Sequence, residues 1–140
     1  MPDPFDLERF VNAQNRVFEG VLAELRQGDK QGHWMWFIFP QMKGLGRSAT
    51  STYYGIASRA EAEAYLAHPV LGPRLIECTQ LVNLVRNRPI EEIFGIVDAL
   101  KFRSSMTLFS EVSNEGHPFK DALKKYFAGQ ADQTTLELLS

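Results

Sequence analysis

The stretch His33-Trp34-Met35-Trp36-Phe37-Ile38-Phe39, closed by Pro40, decides the fold class. Its even positions (Trp34, Trp36, Ile38) and odd positions (Met35, Phe37, Phe39) are equally apolar. There is therefore no period-2 alternation, and the segment is either a strand covered on both faces or a short buried helix. Length and aromatic content favour a strand, but no convincing alternating partner occurs elsewhere. A strand without partners is not stable, so the segment is expected to be helical.

On the N-terminal side, Leu7, Phe10, Val11, Phe18, Val21, Leu22 and Leu25 recur at three- and four-residue steps. One amphipathic helix is expected there, opened by Asp6 and Glu8 and stopped near Arg26 by Gly28. On the C-terminal side, Gly44, Gly46 and Gly55 among Ser, Thr and Tyr read as an irregular Gly/Ser/Thr-rich loop over residues 43–58. Ser58 and Glu61 form a capping-box pattern for a helix running to His68, where Pro69 stops it. Further helices are expected over about 72–87, in a short turn between Pro89 and Gly95, over about 97–112, and from Pro118 to Gly129. Asp132 is placed to cap a last short helix. The sum is a mainly α domain of about six or seven short helices.

The chain has 140 residues, 44% hydrophobic and 23% charged, with 15 Lys+Arg against 17 Asp+Glu. This composition suits one globular domain over residues 1–140, large enough to fold without disulfide or metal. Cys78, alone, excludes an internal disulfide and a Cys-rich zinc site. A net charge of −2 weighs against nucleic acid as the main partner. No apolar run approaches a membrane span. The start Met1-Pro2-Asp3-Pro4 lacks the basic and apolar regions of a signal peptide, so a cytoplasmic location is expected.

Acids are unevenly spread. The 31 residues between Asp29 and Glu61 contain none, yet carry Lys30, Lys43, Arg47 and Arg59 with His33, Gln41, Ser48 and Tyr54. A second acid-free run, Ala99 to Ser110, offers Lys101, Arg103 and Ser104. Cations, hydroxyls and glycine-permitted backbone approach are the means of holding an anion. The expected site is one where these two segments converge on a small anionic ligand of nucleotide or sugar-phosphate type. Arg47, Lys101 and Arg103 would hold the anion, and Ser48 and Ser104 would donate to it. Trp34 or Trp36 would stack on a ring that His33 or Gln41 orients, with Tyr54 nearby. Equally, the tryptophans can be core, and Lys101 and Arg103 the solvated side of a helix.

Catalytic templates fail. Gly44-Leu45-Gly46-Arg47-Ser48 lacks the lysine of a P-loop, the dinucleotide fingerprint lacks its third glycine, and no serine sits in a nucleophile elbow. His33, His68 and His117 lack metal-ligand spacing, and Cys78 among Ile76, Leu81 and Val82 reads as a buried hydrophobe. No cofactor or catalytic residue is assigned, and transfer or hydrolysis fits the inventory better than redox chemistry. The alternatives are a non-catalytic protein-interaction or regulatory module and, more weakly, RNA binding through basic and aromatic residues.

The segments Gly32-His33-Trp34-Met35-Trp36-Phe37-Ile38-Phe39-Pro40-Gln41, Tyr54-Gly55-Ile56, His68-Pro69-Val70-Leu71-Gly72, Ile93-Phe94-Gly95 and Asp98-Ala99-Leu100-Lys101-Phe102-Arg103-Ser104-Ser105-Met106-Thr107-Leu108-Phe109 form a specific set. On them the chain resembles, over nearly its whole length, the bacterial domain-of-unknown-function family numbered eighteen-ten. The resemblance implies a mainly helical fold and no known activity or catalytic residue. Some members carry the label calpastatin, which implies a disordered, repetitive inhibitor. This repeat-free, apolar-rich chain does not fit that label.

Overall fold

The computed structural model describes residues 2–140. Ten helices follow one another among them: α1 (Glu8–Asn15), α2 (Phe18–Gln27), α3 (Met35–Ile38), α4 (Ala49–Tyr53), α5 (Arg59–Ala67), α6 (Leu71–Leu84), α7 (Ile90–Phe94), α8 (Ile96–Val112), α9 (Phe119–Phe127) and α10 (Gln133–Leu139). The described residues contain no strand, only an isolated bridge between Met42 and Ile56. None of these helices is long and apolar enough to cross a membrane.

The aromatic stretch 33–39 is helical, as expected. Its one turn, α3, buries Met35 and Ile38, and the flanking Trp34 and Phe39 are buried as well. Phe39 meets Phe102 at 5.0 Å and Phe94 at 5.9 Å, both edge-on. Such pairs add about 0.5–1.5 kcal/mol each to the burial itself. Met35 and Ile38 face the core while Trp36 and Phe37 are part-buried, so the turn has no polar face.

The N-terminal helix expected as one piece is two. Val17 takes φ −131° and ψ −4°, off the helical path, and its N–H bonds to the carbonyl of Gln14. The apolar spacing runs through this break without interruption. Tertiary packing decides it, since α1 lies against α3 whereas α2 lies against α6. One straight rod could not serve both. Gln14 fixes the first half by donating to the Phe37 carbonyl at 2.7 Å and to the Tyr65 hydroxyl at 3.0 Å. Gly28 ends α2 in the left-handed region, at φ 68°, and its N–H reaches the carbonyls of Glu24 and Leu25.

Two further boundaries differ from expectation. The loop over 43–58 contains α4, because Ser48 accepts from the Ser51 N–H and nucleates a turn within the Ser/Thr run. The sixth helix begins at Leu71 and stops at Leu84, where Val85 becomes extended, short of Asn87. The short α4 and the split first helix raise the count above the six or seven expected. Other termini match the sequence closely. Ser58 accepts from the Glu61 N–H and Asp132 from the Thr135 N–H.

Helix α8 runs through the middle of the molecule and packs against α5, α7, α9 and α10. Ala99, Phe102, Met106 and Phe109 on it are almost fully buried. Its N-terminal turns emerge at the surface. Ile96 is 74% exposed, Val97 65% and Leu100 61%. Val97 and Leu100, apolar residues of the helix expected over about 97–112, are therefore on the outside.

Candidate functional site

The two acid-free segments meet. Gln41, Leu45 and Gly46 from the first, and Leu100, Lys101 and Ser104 from the second, line a cleft of about 230 Å³. Val97 continues its apolar side, and Asp132 and Thr134 at the start of α10 close the far wall.

Each wall has a local cause. After Pro40, the Ile56 N–H bonds to the Gln41 carbonyl at 2.9 Å. This holds residue 41 beside α8. Only 9% of Gln41 is exposed, yet its amide forms no hydrogen bond within the described residues. The amide opens into the cleft, where its donor and its acceptor are both free for a ligand. On the opposite side, Arg103 donates to the carbonyls of Gln130 at 2.9 Å and Ala131 at 3.1 Å. The Asp132 N–H donates to Thr107 Oγ1 at 2.8 Å. These bonds tie the start of α10 to α8.

The charge of the cleft comes from a bridged group. Asp98 receives Lys30 Nζ on one oxygen at 2.8 Å and Lys101 Nζ on the other at 3.3 Å. Lys101 Nζ also stands 3.7 Å from the centre of the Trp36 ring, and Lys30 Nζ 5.1 Å from that of Trp34. Two ammonium groups share one carboxylate, so the group keeps one positive charge. Asp132, the acid in the wall, caps α10 through Oδ2, which accepts from the Thr135 N–H and from Thr135 Oγ1, and its negative charge remains in the far wall. Ser104 Oγ donates to the Leu100 carbonyl at 3.2 Å, which leaves its lone pairs for a ligand donor.

The remaining expected site residues stand elsewhere. Trp34 is buried, and its indole N–H donates to Glu24 at 3.0 Å. That carboxylate also accepts the N–H groups of Gln31 and Gly32. Desolvation pushes the Glu24 pKa up, but the three hydrogen bonds outweigh it and hold the carboxyl below its ordinary value. Ser48 is the cap of α4, and Arg47 is exposed with no partner among the described residues. His33 is exposed beside the α1–α2 break. Tyr54 packs on Phe10 and Phe37 at the edge of another depression. Arg103 is spent on the two carbonyls.

Asp98, the counter-charge, and the exposed pair Val97 and Leu100 are the parts that sequence reasoning missed as site components. Asp98 directly precedes the second segment in sequence. Nothing in the sequence signals that α8 turns its first apolar residues outward. Burial pushes the Cys78 thiol up to about 12, in keeping with a packing role.

A family model described as a protein of unknown function, DUF1810, matches residues 4–139. Among solved structures, the conserved hypothetical protein Rv1873 from Mycobacterium tuberculosis is similar at 56% identity and a TM-score of 0.97. The match covers 98% of each chain. Comparison with curated proteins found no match.

Proposed function

Since the chain belongs to the DUF1810 family, whose description assigns no activity, function has to be read from the cleft, and we propose that it binds a small anionic ligand of nucleotide or sugar-phosphate type. The Gln41 amide, which lines the cleft and has no partner among the described residues, carries this reading. An amide presents a donor and an acceptor side by side, the pattern that pairs with a base edge or a carboxamide. Lys101, with the surplus charge of its group, stands beside it for the anionic end. Leu45, Val97 and Leu100 supply apolar cover. The volume suits a base or sugar phosphate, with the rest of a larger ligand outside.

The cleft is read as a binding site. No histidine or cysteine lines it, and its carboxylate is held by the α10 cap.

The test is thermal unfolding in the presence of purine nucleotides, sugar phosphates or inorganic phosphate, for the natural chain, Gln41→Ala and Lys101→Met. A ligand at about 100 times its Kd adds ~2.7 kcal/mol, a rise on the order of 5–10 °C in Tm. Such a shift from one class, lost in Gln41→Ala, supports the site. A flat response to every class, or an equal shift in both variants, overturns it.

A second reading has its own observation. Ile96, Val97 and Leu100 place three large apolar side chains together in water at the rim of the cleft, and exposed apolar patches mark protein contacts. Non-catalytic partner binding would then lose affinity on Leu100→Ser and be indifferent to Gln41→Ala.

A further inference from the structure

A second depression, of about 400 Å³, opens where α1 ends. Its walls include Asn12 and Arg16 from α1 and its cap, Phe37 within α3, and Tyr53 and Tyr54 at the end of α4. Four other depressions on the described residues each include at least one carboxylate, whether Glu63, Glu24, Asp3 or Asp132. This one includes none.

The aromatic wall is made of rings in mutual contact. Tyr54 lies 5.3 Å from Phe37 and 5.8 Å from Phe10, and Tyr53 stands edge-on to Tyr54 at 4.8 Å. Tyr53 is nevertheless 56% exposed, a large flat surface held in place and left uncovered. Arg9 also lines the depression, but its guanidinium is saturated. It donates to the carbonyls of Tyr53, Phe5, Asp6 and Gly55 and to the Glu61 carboxylate.

Arg16 differs. It is exposed, and it forms no ion pair or hydrogen bond with any described residue. It stands close enough to Tyr54 to oppose the upward push that burial and Tyr53 exert on that hydroxyl. A free guanidinium with its planar set of donors, an Asn12 amide and a fixed aromatic face, with no carboxylate to repel an anion, are the elements of a site for a ring that carries negative charge.

We infer that the depression between Arg16 and Tyr53 is a second ligand site, separate from the α8 cleft, for small aromatic anions such as aryl phosphates or aryl carboxylates. Arg16 and Asn12 hold the anionic group, and the ring packs against Tyr53 and Phe37. Arg9 sets the position of Tyr53 through its main-chain carbonyl.

Phenyl phosphate is the probe, titrated into the full chain and followed by two-dimensional amide NMR, with phenol and inorganic phosphate as controls. Saturable shifts at Asn12, Tyr53 and Tyr54 are expected, with a Kd on the order of 1 mM or tighter. Arg16→Gln and Tyr53→Ala should each weaken binding roughly tenfold. Both side chains are exposed, so Tm should hold. Gln41→Ala should bind the probe normally, which separates this site from the cleft. The inference is overturned if the shifts fail to saturate, map to the cleft, or survive in Arg16→Gln. Phenol or phosphate binding as tightly as phenyl phosphate overturns it as well.

Discussion

Glu61 takes the guanidinium of Arg9 at 2.7 Å, and only 8% of the arginine side chain and 4% of the glutamate side chain remain exposed. The second oxygen of Glu61 accepts the Ala57 N–H at 3.0 Å. One carboxylate thereby joins α1 to the start of α5, and the arginine carries the link on to the end of α4. Replacing Glu61 with Gln or Arg9 with Met leaves a buried charge unpaired. Each is expected to lower unfolding free energy by about 3–5 kcal/mol, measured by urea denaturation. Arg9→Met should also disturb the Tyr53 amide resonance.

Acid sensitivity has an identifiable contributor in Glu24. Its pKa lies below the ordinary 4.5 in the folded protein. Its stabilisation is therefore complete above about pH 4.5 and is lost as pH falls through the lowered value. Glu24→Gln should be less stable than the natural protein at pH 7. The gap between their urea midpoints should narrow below pH ~4. A constant gap across that range would remove Glu24 from the acid limb.

Gly72 sits against α5 with no room for a side chain. A Cβ there would stand 2.1 Å from the carbonyl oxygen of Leu66, and main-chain atoms do not yield as a flexible side chain does. Gly72→Ala is expected to cost about 1–3 kcal/mol or more and to lower Tm clearly in a thermal melt.

Cys78 is fully covered, and its thiol is pushed up to about 12. Since the thiolate is the reactive form, a disulfide reagent at pH 8 should label the folded protein slowly. The rate should climb with urea, in step with unfolding. Rapid labelling without denaturant would contradict the burial.

At the cleft, Asp98→Asn removes the carboxylate that two lysines share. Two effects of opposite sign are expected. Tm falls, because Lys30, with 8% of its side chain exposed, loses its partner. Affinity for an anion at Lys101 rises, on the order of fivefold, readable by calorimetry below the melting range.

Local chemistry was readable from local sequence. The Ser58, Gly28 and Asp132 termini follow from side chains and φ preferences within a few residues, and the aromatic run read as helix because no alternating strand occurs elsewhere to pair with it. The break at Val17 was not readable, since the apolar stripe through it is unbroken and only the separate partners α3 and α6 require a bend. Charge counting found Gln41, Lys101 and Ser104 because a missing acid is visible in one dimension. It did not find Arg16, which a continuous helix would have made one more solvated residue. The outward face of Val97 and Leu100 depends on where α8 leaves the core, which spacing alone does not encode.

The hydrogen bonds from Arg103 to the Gln130 and Ala131 carbonyls have a consequence in time as well as in space. Every other wall of the cleft is built from residues before 105, and the last wall arrives with residues 130–134. A ribosome delivers the chain in that order. The half-made protein carries an open trough along α8, with its apolar rim in water and the arginine waiting for its two carbonyls. On the proposed function, the cleft would become competent only after residues 130–134 have emerged and docked on α8.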